Sequence, residues 1–135
     1  MKILFVCKHN RFRSRVAEAY FNKINKNRNL KAKACGLIQD NYPLDKDEVE
    51  VSKKLGINIS GKPLGISSDL LDWQDLIIVV ANDIKSSIID ENTKCGKKVI
   101  YWQIPDENNG NKENIERIIK QIMAKVDDFL EEEND

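Results

Sequence analysis

Apolar residues recur along this chain in two periods, and the change from one to the other marks its elements. Lys2-Ile3-Leu4-Phe5-Val6 is a short β-favouring run, too short for a helix, and predicts a buried parallel strand. From Ser14 the period becomes helical: Val16, Ala17, Tyr20, Phe21 and Ile24 predict a helix from Ser14 to Asn27, with Ser14 as its cap. Lys31 to Cys35 alternates and stops at Gly36, a second strand. Asp45 to Leu55 reads as a helix ended by Gly56, and Ser67 or Ser68 caps a short helix through Leu70 and Leu71. Leu76 to Val80 is the clearest buried strand, Ile84 to Ile89 a short helix, and Lys98 to Trp102 a fourth strand. Ile115, Ile118, Ile119, Ile122, Met123, Val126, Phe129 and Leu130 form one long helical stripe, whose Met and Phe are core residues.

Strands that alternate with helices imply right-handed crossovers. The expected fold is a three-layer α/β/α sandwich around a central four-stranded parallel sheet, as a single domain over residues 1–135. In such folds ligands sit at the carboxyl ends of the strands. The residues just past Val6, Cys35, Val80 and Trp102 are therefore the candidates for a site.

Composition narrows the function classes. With 22 basic and 22 acidic residues among 135, the chain carries no net charge, which argues against a protein that coats nucleic acid. Mean hydropathy is −0.52, and no apolar run approaches the ~18 residues of a membrane span. The first residues meet Arg11, Arg13 and Arg15 with no small-residue cleavage site, so no signal peptide is expected and the protein is expected to be cytoplasmic. Cys7, Cys35 and Cys95 form no C-x-x-C pair, and the single histidine is His9. Neither a metal site nor a disulfide framework is therefore expected, nor any cofactor. One reactive thiol, or three inert ones, remain. Charge is uneven, however: from Met1 to Cys35 the lone acid is Glu18 among many lysines and arginines. No aromatic residues interleave with these cations to stack bases, so nucleic acid is not the expected partner.

After Val6 comes Cys7-Lys8-His9-Asn10-Arg11-Phe12-Arg13-Ser14, and then the helix. A loop curling over a helix amino terminus points backbone N–H groups inward and makes a cradle for an anion. Arg13 closes that ring with a bidentate grip on a tetrahedral anion such as phosphate or sulfate. The same field favours the thiolate of Cys7, a nucleophile aimed at phosphorus. Asn10 suits a left-handed turn without glycine, and Ser14 is placed to donate to the sulfur. Cations at a helix amino terminus are electrostatically wrong unless an anion joins them. That conflict favours the anion site over solvated charges and a buried core thiol.

The pattern Val6-Cys7-x-x-Asn10-x-x-Arg13-Ser14 at a first strand-to-helix turn resembles the low-molecular-weight protein tyrosine phosphatases and the related thioredoxin-coupled arsenate reductases. The likeness continues through Val16-Ala17-Glu18-Ala19, Ala34-Cys35-Gly36, Ile57-Asn58-Ile59-Ser60-Gly61, Asp72 to Val80, and Pro105-Asp106. It implies a phosphomonoester hydrolase acting through a cysteinyl-phosphate. Cys7 would be the nucleophile, Arg13 the anion clamp, and Lys8, His9, Asn10, Arg11, Phe12 and Ser14 the rest of the phosphate-binding loop. The resemblance also implies a late-loop acid, matched here by Asp106; placement after the fourth strand favours it over Asp83 or Asp90, with Glu107 as the near rival.

The chain departs from the family pattern in several places. Phe12 stands where a second cysteine is common, His9 where glycine is, Arg15 where proline is, and no proline follows Asp106. Lys8, His9 and Arg11 make the loop unusually basic, which suggests a strongly anionic substrate or tightly held phosphate. Expected partners are a phosphorylated protein or a small phosphomonoester. Two alternatives stand beside hydrolysis: arsenate reduction with the same Cys7 and a relay through Cys35 or Cys95, and a non-catalytic module that binds phosphorylated partners.

Overall fold

The computed structural model describes residues 1–40, 42–89, 97–106 and 111–134. The elements run β1 (Lys2–Cys7), α1 (Arg13–Ile24), β2 (Lys31–Gly36), α2 (Lys46–Lys54), α3 (Ser68–Trp73), β3 (Leu76–Val80), a single 3-10 turn (Ser86–Ile88), β4 (Lys98–Trp102) and α4 (Lys112–Glu133). The four strands form one parallel sheet in the order β2-β1-β3-β4. β1 and β3 are central, and nearly every residue in them is buried. That is why these two runs are apolar without alternation.

The pleat sends successive residues to opposite faces. Ile3 and Phe5 of β1, with Leu76, Ile78 and Val80 of β3, join a core shared with Val16, Ala17 and Phe21 of α1 and the buried stripe of α4. Leu4, Val6, Ile77 and Val79 face a second core that includes Cys35 and Ile89, with Leu70 and Leu71 of α3 packed on it. Two cores on either side of one sheet make the three-layer sandwich. The ring of Phe5 lies 5.8 Å from that of Phe21 and 5.7 Å from that of Trp102, so a central strand residue ties α1 to β4. Among the described residues no helix is long and apolar enough to cross a membrane.

The expected elements are present, with three differences. Helix α1 begins at Arg13, and its N-cap is Phe12, which has no capping side chain; Ser14 is not the cap, because its hydroxyl is engaged elsewhere. The same helix stops at Ile24, since the Asn25 side chain donates to the carbonyls of Asn27 and Leu30 and turns the chain towards β2. Ile84 to Ile89 yields only the 3-10 turn. Met123 is partly buried against the core, whereas Phe129 is buried within it. Asn41, Asp90, Cys95 and Glu107 lie outside the described residues.

Phe5→Ala removes the aromatic bridge between α1 and β4. A loss of about 3–5 kcal/mol is expected for a buried phenylalanine. Urea unfolding monitored by circular dichroism should show a lower midpoint at unchanged slope; a midpoint within error of the parent's would contradict this packing.

Candidate active site

The β1–α1 connection lies at the carboxyl end of the sheet, between the buried Cys7 and the buried Arg13. Asn10 has a positive φ of 56°, the left-handed turn expected of it. Its side chain holds three neighbours. Its Nδ2 donates to Ser14 Oγ at 2.8 Å, while its Oδ1 accepts from the Leu64 amide at 2.9 Å and from Arg15 Nη1 at 3.4 Å. Ser14 Oγ stands 3.0 Å from Cys7 Sγ. Because that hydroxyl already accepts from Asn10, its proton is left to point at the sulfur.

No backbone amide from His9 to Arg15 has a hydrogen-bond partner among the described residues. These are the loop amides and the orphan donors of the first turn of α1, and that turn holds no acidic residue. The loop is fixed from outside instead. The Leu37 and Ile38 amides donate to the carbonyls of Cys7 and Lys8 at 3.0 and 2.9 Å. Gly36 must be glycine here, since a Cβ would lie 2.5 Å from the His9 carbonyl carbon and 2.6 Å from the Asn10 nitrogen.

The three arginines have three different placements. Arg13 is the one turned inward: its Nη1 donates to the Ile104 carbonyl at 3.0 Å, and its Nη2 to Asp83 Oδ1 at 3.1 Å. Arg15 reaches the carbonyls of Ile59 and Lys62 at 2.8 and 3.1 Å, which anchors the segment before α3 to the loop. Arg11 lies at the rim, 3.6 Å from Asp40 and 5.6 Å from the centre of the Tyr42 ring. His9 Nδ1 approaches the same Asp40 at 2.9 Å, without the alignment of a hydrogen bond. Two of the three extra basic side chains of this loop, His9 and Arg11, thus lie against one carboxylate.

Asp106, on the loop after β4, has its carboxylate 3.9 Å from Arg13 Nη2 and is exposed. It lines the same cavity of about 360 Å³ as Cys7 and Arg13. The nucleophile, clamp and acid expected from the sequence therefore meet in one pocket, with His9, Arg11 and Phe12 also on its wall.

Two residues of this site are not evident from the sequence. Asp83 reads there only as a rival acid, yet it orients Arg13. Its signal is its place just past the carboxyl end of β3. The other is Glu48 on α2, buried on the pocket wall. Burial first, then the charges of Asp45 and Asp106, push its carboxyl up from 4.5 to about 8 against the opposing pull of Arg11 and Arg13.

No curated relative matches the chain. The family model for low molecular weight phosphotyrosine protein phosphatase matches residues 2–134. Among solved structures, the low molecular weight protein tyrosine phosphatase from T. tengcongensis is similar at 25% identity and TM-score 0.83, covering 98% of this chain and 99% of that one. The YwlE arginine phosphatase from Geobacillus stearothermophilus aligns at 19% identity and TM-score 0.84, over 98% of this chain and 92% of the other. The arsenate reductase from Archaeoglobus fulgidus aligns at 24% identity and TM-score 0.71, over 95% and 98%.

Glu48 also makes stability depend on pH. The folded state holds its proton up to about 8, whereas the unfolded chain releases it near 4.5. Between those values the folded state binds more protons, so rising pH lowers stability. Relative to wild type, Glu48→Gln should gain stability steadily from pH 5 to pH 8 and no further above it. Denaturant titrations across that range check this, and a pH-independent difference between the two proteins would contradict it.

Proposed function

The chain belongs to the low molecular weight phosphotyrosine protein phosphatase family, and from that premise we propose that Cys7, Arg13 and Asp106 carry its reaction. It is a cysteine-dependent phosphatase that binds phosphate and phosphomonoesters. The Cys7 thiolate attacks phosphorus, and the leaving oxygen departs in line. The partnerless amides of the loop and first helical turn, together with the Arg13 guanidinium, hold the equatorial oxygens where transition-state charge spreads. Asp106 gives its proton to the leaving oxygen, then takes one from the water that hydrolyses the cysteinyl-phosphate. Ser14 steadies the sulfur as it leaves, and Asp83 keeps Arg13 from swinging out. The substrate is a phosphomonoester on a protein or on a small molecule. The observation that carries this reading is the buried Arg13 beside a helix start with no acid and no cap, next to Cys7.

The rivals fare worse on specific grounds. Arsenate reduction needs a second thiol able to attack the first. Cys35 is fully buried, and its thiol is pushed up to about 12 by burial and by the charges of Cys7 and Glu18. A thiol held in its protonated form is a poor relay. A purely binding module gives no reason for an exposed carboxylate at Asp106 on the wall of an anion pocket.

Turnover of an aryl phosphate separates these readings. Cys7→Ser should abolish turnover while retaining phosphate binding by calorimetry. Asp106→Asn should slow it by roughly 10²–10⁴-fold, most for poor leaving groups. Normal turnover by Cys7→Ser would overturn the proposal. Tight phosphate binding by a wild type without turnover would favour the binding module.

A further inference from the structure

The pocket lining is chemically mixed. Cys7 and Arg13 belong to the anion cradle, and the rest of the lining carries three acids, Asp45, Glu48 and Asp106, beside His9 and Arg11. Asp45 is already engaged, since its side chain caps α2 by accepting from the Glu48 amide at 3.0 Å. Glu48 occupies the third helical position of α2, where a capping box would bring its carboxyl back to the Asp45 amide. That return bond is not made. Glu48 is only 6% exposed, lines the cavity, and makes no hydrogen bond or ion pair among the described residues.

Buried carboxyl groups without partners are costly, and such a group on a pocket wall is satisfied by what enters the pocket. The cations of the site pull on Glu48 only from a distance and make no ion pair with it. Arg13 is held by Asp83 and the Ile104 carbonyl, and Arg11 lies against Asp40 and Tyr42. Once a phosphoryl group fills the cradle, the rest of the lining is left with acids in excess.

Resting on the phosphatase reading above, we propose that Glu48 is a specificity-determining residue that favours phosphate esters whose leaving group carries an ammonium group. The ester oxygen then faces Asp106 while the ammonium meets the Glu48 carboxyl as a charge-assisted hydrogen bond. The cavity of about 360 Å³ is large enough for a phenyl-sized leaving group. The upward shift of Glu48 fits this role: the carboxyl is held short of ionisation by burial and by Asp45 and Asp106, and an arriving cation reverses that bias.

Three matched aryl esters test the proposal: phosphotyramine, para-ethylphenyl phosphate and para-(carboxyethyl)phenyl phosphate. Wild-type kcat/KM should fall in that order, with phosphotyramine ahead of the ethyl ester by about tenfold. Glu48→Gln should bring the ratio of phosphotyramine to ethyl ester close to one. A flat or reversed order in wild type would overturn the inference, as would a ratio that survives Glu48→Gln. If that variant does not fold, the wild-type order alone decides. Turnover of all three esters at equal rates rejects only the selectivity, whereas no turnover of any of them rejects the hydrolase reading and this one with it.

Discussion

A helix amino terminus with no acid in its first turn, no side-chain cap and no partner for its leading amides is electrostatically incomplete until an anion joins it, and everything else in this site depends on that constraint. Helix α1 begins with Arg13, Ser14 and Arg15, has no acid in its first turn and no side-chain cap. A helix that existed only to pack would be expected to carry Ser, Asp or Asn at the cap and Glu nearby. The other long helix of this protein does so: Asn111 caps α4 by accepting from the amides of Glu113 and Asn114. The contrast between two helices in one chain separates a structural terminus from a working one. At α1 the orphan donors and the positive end of the dipole are kept for a ligand.

Keeping such a site open requires that the loop be held by groups other than its own amides. Asn10 does this through Ser14, Leu64 and Arg15, Gly36 by letting β2 lie against the loop backbone, and Asp83 by fixing the arginine. These supports come from β2, the segment before α3, and the end of β3, all near the carboxyl edge of one sheet. Their rigidity matters because positioning is a large share of what such a catalyst supplies. The sandwich with two cores is the means by which distant segments are brought to one loop.

How much of this is legible in the sequence depends on range. The strands and helices are legible because burial imposes a local period, as in Leu76 to Val80 and in the stripe from Ile115 to Leu130. Asn10 and Arg13 are legible because a left-handed turn and a misplaced cation are local conflicts that demand an explanation. The approach of Ser14 to the Cys7 sulfur is legible from the loop's length, but Ser14 also reads wrongly as a cap, because its second partner, the Asn10 amide, is met only once the loop has curled. Arg11 and His9 look like free cations because Asp40, which pairs with both, lies far along the chain. Glu48 is hidden for a further reason: its sequence context is that of a capping box, and only the missing return bond reveals that its carboxyl serves the pocket.

The proposed chemistry requires that Cys7 share one anion site with Arg13 and the free amides. Iodoacetate labelling and peptide mass mapping, with and without inorganic phosphate, test it most directly. Rapid labelling of Cys7 rather than Cys35 is expected, blocked by phosphate, with the block weakened in Arg13→Ala. Labelling of Cys7 at the same rate with and without phosphate would contradict it.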